Sequence, residues 1–162
     1  MLEMQQAGHD FLHNNGYTQY EVSAFARAGS CAAHNLNYWR FGDYLGIGAG
    51  AHGKITRPDD NDIVRTRKHR QPGHYMTSLL RTAQQQAIPQ DDLALEFMLN
   101  ALRLHEGFTV DQFEARTGLA FRQVEKQVES LMFKALLARQ ESHFQPTAQG
   151  RQFLNTMLEV FL

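Results

Sequence analysis

The sequence predicts two fold classes in one chain, an α/β segment followed by an all-α segment, and three observations carry that division. Up to residue 57 a helical period gives way to short aromatic and β-branched runs broken by Asn and Gly. From 91 onward apolar residues recur at three- and four-residue spacing behind strong capping signals. Between them, residues 58–90 hold a polar-tipped hairpin and a connecting helix, and from Ile63 to Gln90 there is no acidic residue.

The totals bound what the chain can do. With 162 residues, 43% hydrophobic and 20% charged, a net charge of -1 and a pI near 6.7, it reads as a soluble globular protein with no global pull towards nucleic acid or acidic membranes. Its single cysteine, Cys31, allows no internal disulfide and no protein-held iron-sulfur cluster, which takes about four ligands, mostly Cys. Met1 to Gln6 lack the basic start and apolar core of a signal peptide, and no run approaches the ~18 apolar residues of a membrane span. A cytoplasmic location is expected, and no transmembrane segment.

Leu2, Met4, Ala7, Phe11 and Leu12 give a first helix over about 2–13, stopped by Asn14-Asn15-Gly16. Tyr17 to Phe25 is a strand signal, Tyr44 to Ile47 a second, and Ile55, Ile63 and Val64 flank a turn over 58–62. A helix, a strand, a loop and a strand form the tail of an alternating α/β pattern. Such strands lack a sheet of their own, so upstream partners are expected. Asp91 or Asp92 then caps a helix carrying Leu95, Met98, Leu99 and Leu102 and stopping at Gly107. Thr109 to Gln112 forms a capping box with Phe108 and Phe113 as a staple. That helix ends at Thr117-Gly118, and a longer one follows with Phe121, Val124, Val128, Leu131 and Ala135 inward. Ser142 to Pro146 is strand-like, Thr147 caps, and Phe153, Leu154, Met157, Leu158 and Phe161 line the last helix. This order is winged-helix-like, with a boundary near residue 90.

The unusual residues concentrate in Cys31 to Tyr44, which holds the sole Cys and Trp and runs into Leu45-Gly46-Ile47-Gly48-Ala49-Gly50-Ala51-His52-Gly53. Asn and Gly favour turns, so a compact loop is expected over 31–44. Gly48 to Gly53 satisfies G-x-G-x-x-G, but a dinucleotide site also needs a helix opening at the glycines and an acid about 20 positions on. Neither is present, and the glycines instead let a strand pass close to a ligand or a neighbouring strand. A DNA-reading helix after Thr117 would need a cationic outward face, whereas Arg122, Glu125, Lys126 and Glu129 nearly cancel, so no nucleic-acid partner is expected. Arg65, Arg67, Lys68, Arg70 and Arg81 form either a solvated basic face or an anion-facing patch. His34 reads as a hydrogen-bonding residue, a metal ligand or an axial haem ligand, with His52 and Cys31 as further candidates. The three-residue spacing of Cys31 and His34 does not by itself define a nucleophile and its base.

Tyr20-Glu21-Val22-Ser23-Ala24-Phe25-Ala26, His34-Asn35-Leu36-Asn37-Tyr38-Trp39 and Gly42-Asp43-Tyr44-Leu45-Gly46-Ile47-Gly48-Ala49-Gly50-Ala51-His52-Gly53 resemble the HemW-type haem chaperones. These are relatives of the oxygen-independent coproporphyrinogen III oxidases of the radical S-adenosylmethionine superfamily. The likeness extends over the whole chain, and His-Asn-x-x-Tyr-Trp is its most specific part. It implies that residues 1–57 are the C-terminal end of a partial (β/α) radical-enzyme barrel, with 58–90 connecting and 91–162 a helical domain like that of the oxidase. It implies haem as cargo, His34 as the ligand of the haem iron with Asn35, Tyr38 and Trp39 as its motif neighbours, and Ala26 as a peripheral adenine contact. Haem-acceptor proteins, the missing N-terminal barrel half and a second copy of the chain are the implied partners, with a peripheral place at a membrane. The parent would hold a four-iron, four-sulfur cluster and S-adenosylmethionine. The cluster's Cys-x-x-x-Cys-x-x-Cys motif is absent here, so no radical chemistry is expected of this chain alone; an oxidase-like parent is the alternative.

Overall fold

The structure, a computed structural model, describes residues 2–162; Met1 and the side chain of Leu2 lie outside the described residues. Helix α1 runs over Leu2–Asn14 and stops where Gly16 takes φ +81°. Of its apolar residues, Met4 and Phe11 face solvent, at 74% and 68% exposure.

The single strand expected over 17–25 is a hairpin, β1 (Thr18–Glu21) antiparallel to β2 (Ala24–Ala26). The reversal at Val22-Ser23 is closed by the Glu21 carboxylate, which accepts from the Ser23 N–H and hydroxyl at 3.1 Å each. The loop expected over 31–44 contains instead helix α2 (Ala33–Trp39). Its asparagines do not bend the backbone because they bond elsewhere: Asn37 donates to the Asp43 carbonyl at 2.8 Å and Asn35 to the Tyr20 hydroxyl at 3.5 Å. Tyr44 to Ile47 forms no strand. Tyr44 makes an isolated bridge to Lys54, and Leu45 and Ile47 are 76% and 88% exposed.

The hairpin across 58–62 is present as β3 (His52–Arg57) and β4 (Asp62–Lys68), with Ile55 opposite Val64. After the short helix α3 (Pro72–Thr77), a third strand, β5 (Thr82–Ala87), pairs with β4. Nothing in Thr-Ala-Gln-Gln-Gln-Ala marks that strand, because it is an edge strand with mostly exposed side chains.

Helix α4 covers Leu93–Ala101, shorter than expected, and no side chain caps it: Gln90–Asp92 forms a 3₁₀ turn that leads in. Strand β6 (Phe108–Thr109) leads into α5 (Val110–Thr117), where the capping box between Thr109 and Gln112 is complete and Gly118 closes the helix at φ +72°. A 3₁₀ turn and α6 (Glu125–Phe133) replace the single long helix, and Ala135, expected inward, is exposed at φ +56°. Strands β7 (Leu137–Gln140) and β8 (His143–Pro146) complete the sheet β6-β8-β7. Thr147 caps α7 (Ala148–Gln152), accepting from Gly150 N–H at 3.0 Å, and a break at Phe153 divides it from α8 (Leu154–Leu158).

Among the described residues every strand pair is antiparallel, in three small sheets, and no barrel is closed. The result is a mixed α/β fold. One core unites Phe41, Ile63 and Ile88 with Phe97, Met98, Leu102, Phe108, Phe113 and Phe144. Phe97 is its hub, meeting Phe41, Phe108 and Phe113 edge to face at 5.2–5.9 Å between centroids. No helix among the described residues is long and apolar enough to cross a membrane.

Candidate functional site

A cleft of about 550 Å³ opens where α2, the glycine-rich segment after it and the face of β3 and β4 meet. Its walls are Tyr38, Trp39, Phe41, Tyr44, Leu45 and Ile47, with His52, Lys54 and Arg65 among the polar groups. Two glycines make this approach feasible. A Cβ on Gly46 would stand 2.1 Å from the His52 carbonyl oxygen, and one on Gly53 would meet Thr66 Oγ1 at 2.7 Å. Gly46 and Gly53 thus let the 44–46 segment run against β3; of the glycines read from the sequence over 48–53 only Gly53 is in such close approach, since a Cβ on Gly48 would meet nothing within 4 Å and one on Gly50 nothing nearer than 3.8 Å.

Lys54 and Arg65 face each other across β3 and β4, and like charges so placed repel unless each is compensated. Each has its own acid: Lys54 Nζ lies 3.0 Å from Asp43 Oδ1, and Arg65 pairs with Glu96. Lys54 is 3% exposed and sits 4.1 Å from the centre of the Phe41 ring. Burial pushes its pKa down, and the Asp43 contacts oppose that shift without cancelling it. Burial also works to raise Asp43, but hydrogen bonds from the Thr56 N–H, Lys54 and the Thr56 hydroxyl outweigh it and hold the carboxyl below its ordinary value. Burial raises the Tyr44 phenol, so that tyrosine stays protonated and neutral at the cleft wall.

Helix α2 places His34 and Tyr38 one turn apart on one face, their rings edge to face at 6.4 Å, and Tyr38 meets Tyr44 in the same manner at 4.5 Å. His34 is exposed and does not line the cleft; its nearest link to it is the ring of Tyr38, which does. Trp39 is held from behind by Arg103, whose guanidinium lies 4.5 Å from the ring centre while its Nε donates to the buried Glu21 at 2.9 Å. The indole Nε1 is buried without a hydrogen-bond partner among the described residues, an uncommon state for a donor in a cleft wall.

Of the residues singled out from the sequence, Tyr38, Trp39 and His52 come together in the cleft. Asn35 turns towards Tyr20, Ala26 is buried at the end of β2, and Cys31 is exposed and free; none of them lines the cleft. Among the described residues no group of three or more His, Cys, Asp or Glu converges on one point. Arg65, named in the sequence as part of a solvated or anion-facing basic segment, also lines the cleft, whereas Lys54 and Asp43 were not anticipated there. Their only sequence signal, a lysine in an otherwise β-forming run and an acid after a glycine, is too common to single them out.

The HemN C-terminal domain matches residues 88–153, and the solved structure of the coproporphyrinogen III oxidase HemN from Escherichia coli, a radical SAM enzyme, superposes with a TM-score of 0.67. That superposition covers 99% of this chain and 40% of HemN at 19% identity, and it speaks for the fold alone. Heme chaperone HemW from Escherichia coli is 42% identical over all 162 residues, and that from Haemophilus influenzae 41% identical over the same span. A mitochondrial radical S-adenosyl methionine domain-containing protein 1 from Bos taurus is 31% identical over 96% of the chain. The chain spans 42% of the length of those two HemW proteins. The resemblance to HemW-type haem chaperones drawn from the motifs therefore holds over the whole chain.

Proposed function

We propose that this chain is the cargo-binding C-terminal part of a haem chaperone, that His34 ligates the haem iron, and that the cleft beside it receives part of the macrocycle. The observation that carries the reading is an exposed imidazole whose ring meets Tyr38, a wall residue of an aromatic cleft that also holds an unpartnered indole N–H. Haem combines an apolar ring, an iron that accepts an imidazole nitrogen and two carboxylates. Tyr38, Tyr44, Leu45 and Ile47 offer apolar and aromatic surface to the ring. Arg65, 44% exposed and paired with Glu96 through one Nη, keeps further N–H groups for a carboxylate, whereas Lys54 is buried against Asp43. His52, on the same cleft, is the second candidate ligand.

The exposure of His34 suits a carrier better than a permanent haem protein. A macrocycle covered on one side keeps fewer contacts to break on release, and affinity differences act mainly through the dissociation rate. The parent would pass haem to acceptor proteins, act at a membrane surface from the cytoplasm, and pair with a second copy. Its upstream half would hold the four-iron, four-sulfur cluster and S-adenosylmethionine, with Ala26 as an outlying adenine contact. The division into a barrel end over 1–57, a connection over 58–90 and a helical domain over 91–162 accompanies this reading. The exposed Met4 and Phe11 of α1 suit an upstream barrel layer, and the order β6, α5, α6, β7, β8 suits a winged-helix-like unit.

The test is a haem titration of the full-length protein followed at the Soret band, with His34→Ala and His52→Ala. Loss of the ligated spectrum in His34→Ala alone supports the assignment. A spectrum unchanged in His34→Ala removes it, and one lost only in His52→Ala moves the ligand to the opposite wall. The same preparation should decarboxylate no coproporphyrinogen; turnover would favour the oxidase-like alternative.

A further inference from the structure

A second cleft, of about 910 Å³, lies on another part of the molecule, where α1, the β1–β2 hairpin, the turn after α4 and the α7–α8 pair come together. It shares no lining residue with the cleft beside α2. Its volume is in the range of small-molecule sites. Among the described residues no Asp or Glu lines it, although the chain has 17 acidic side chains against 16 Lys and Arg. The lining instead holds Arg103, Arg151, His9 and His105, with six amide side chains, Gln19 and Gln149 among them.

These groups are not equally available. Arg103 is committed to the buried Glu21, which Ser23 also satisfies. Arg151 is half-buried, uses Nη1 to bond the Pro146 carbonyl at 2.9 Å, and has no acidic partner among the described residues. His105 Nε2 is buried without a hydrogen-bond partner among the described residues, while its backbone N–H is taken by the Tyr20 carbonyl at 3.0 Å. Burial, then the Arg151 charge, hold this imidazole's pKa at about 4, so it faces the cleft neutral at physiological pH. A concave surface with an uncompensated guanidinium, an unsatisfied imidazole nitrogen and a ring of amides is chemically incomplete. A cation would be repelled, and an apolar ligand would leave these groups unbonded. The missing partner is an oxygen-bearing anion.

We infer that this cleft is a second ligand site, for a small polyvalent anion whose phosphate or carboxylate groups meet Arg151 and His105 and whose polar body is bonded by the amides. The proposal does not rest on the haem reading: the two clefts share no lining residue, although Arg103, which lines this one, also packs behind Trp39 of the other.

The full-length protein is titrated calorimetrically with pyrophosphate and, in a separate arm, with citrate, at fixed ionic strength. At least one arm should saturate at one site per chain, and the arm that does so identifies the anionic group. Arg151→Gln should weaken it about tenfold, the loss expected for one charged hydrogen bond. Gln149→Glu, at an exposed position, places a carboxylate in the cleft without disturbing the Pro146 contact and should weaken it by a similar factor. Both variants should keep the parent's haem titration. Failure of both anions to saturate, or binding in both variants equal to the parent, overturns the proposal, whatever the haem titration shows.

Discussion

Residues before 91 and residues after it treat their apolar side chains in opposite ways. Among the described residues, sixteen of the buried apolar residues lie at Leu93 or beyond and five lie earlier. Among large exposed apolar residues the ratio reverses, with eight early, including Leu45, Ile47, Met76, Leu79 and Leu80, and four late. Composition does not set this difference, because both regions contain aromatic and branched residues. What differs is geometry. The later region folds helices around Phe97 and closes them with β6-β8-β7, so its apolar faces meet one another. The earlier region builds two thin sheets and three helices that cannot enclose a core of that size, and its apolar groups stay available for a ligand or a neighbouring layer.

The sharpest attempt to break that contrast is Phe97→Ala. The side chain is 1% exposed and meets three other rings, so its loss should cost about 4 kcal/mol, read as a fall in the denaturation midpoint at constant slope. A loss below about 1 kcal/mol would mean that the later region is not the main store of stability. The joint between the regions comes next. Arg103→Ala strands the Glu21 carboxylate, 2% exposed, and removes the cation from the Trp39 face, which should cost about 3 kcal/mol. Arg103→Ala combined with Glu21→Gln should recover part of that cost, since no buried charge is then left unpaired.

His105 tests the same joint through pH. Its pKa falls from 6.5 to about 4 on folding, so the unfolded chain binds more protons in that window and stability rises with pH across it. Lowering the pH from about 6.5 towards 4 should therefore lower the melting temperature, and His105→Gln should flatten that part of the profile. An unchanged slope would place the imidazole's proton elsewhere. Thr109→Ala removes one half of the capping box at the start of α5 and should cost about 1 kcal/mol, measured by the same denaturation.

The capping box was legible because all its partners lie within four residues, and so were the stop at Gly118 and the β3–β4 hairpin around 58–62. Helix α2 was not, since Asn35 and Asn37 favour turns only while their amides lack better partners. Those partners, Tyr20 and Asp43, are supplied by the folded chain. The break at Phe153 and the edge strand β5 likewise have no local marker. In the cleft the aromatic members could be named in advance, because Tyr38 and Trp39 share a short motif. Arg65 could be named only as part of a basic segment, and Lys54 not at all: strand register brings the two opposite each other, and the guanidinium behind Trp39 is paired with an acid 82 residues away.

The smallest expected effect closes the comparison from its exposed side. Leu79 is fully exposed, Leu80 is 79% exposed and Met76 68%, beside the acid-free run that carries Arg67, Arg70 and Arg81. A side chain with nothing packed on it contributes almost no burial, so Leu79→Ser should change the unfolding free energy by less than about 0.5 kcal/mol. Stability and association must then separate. If the early region keeps apolar groups for contacts outside this chain, Leu79→Ser should leave the denaturation curve in place and still reduce self-association, seen as a lower average mass in sedimentation. A shift of the curve by more than about 1 kcal/mol would instead mean that Leu79 is covered within the folded chain, and the contrast between the two regions would shrink accordingly.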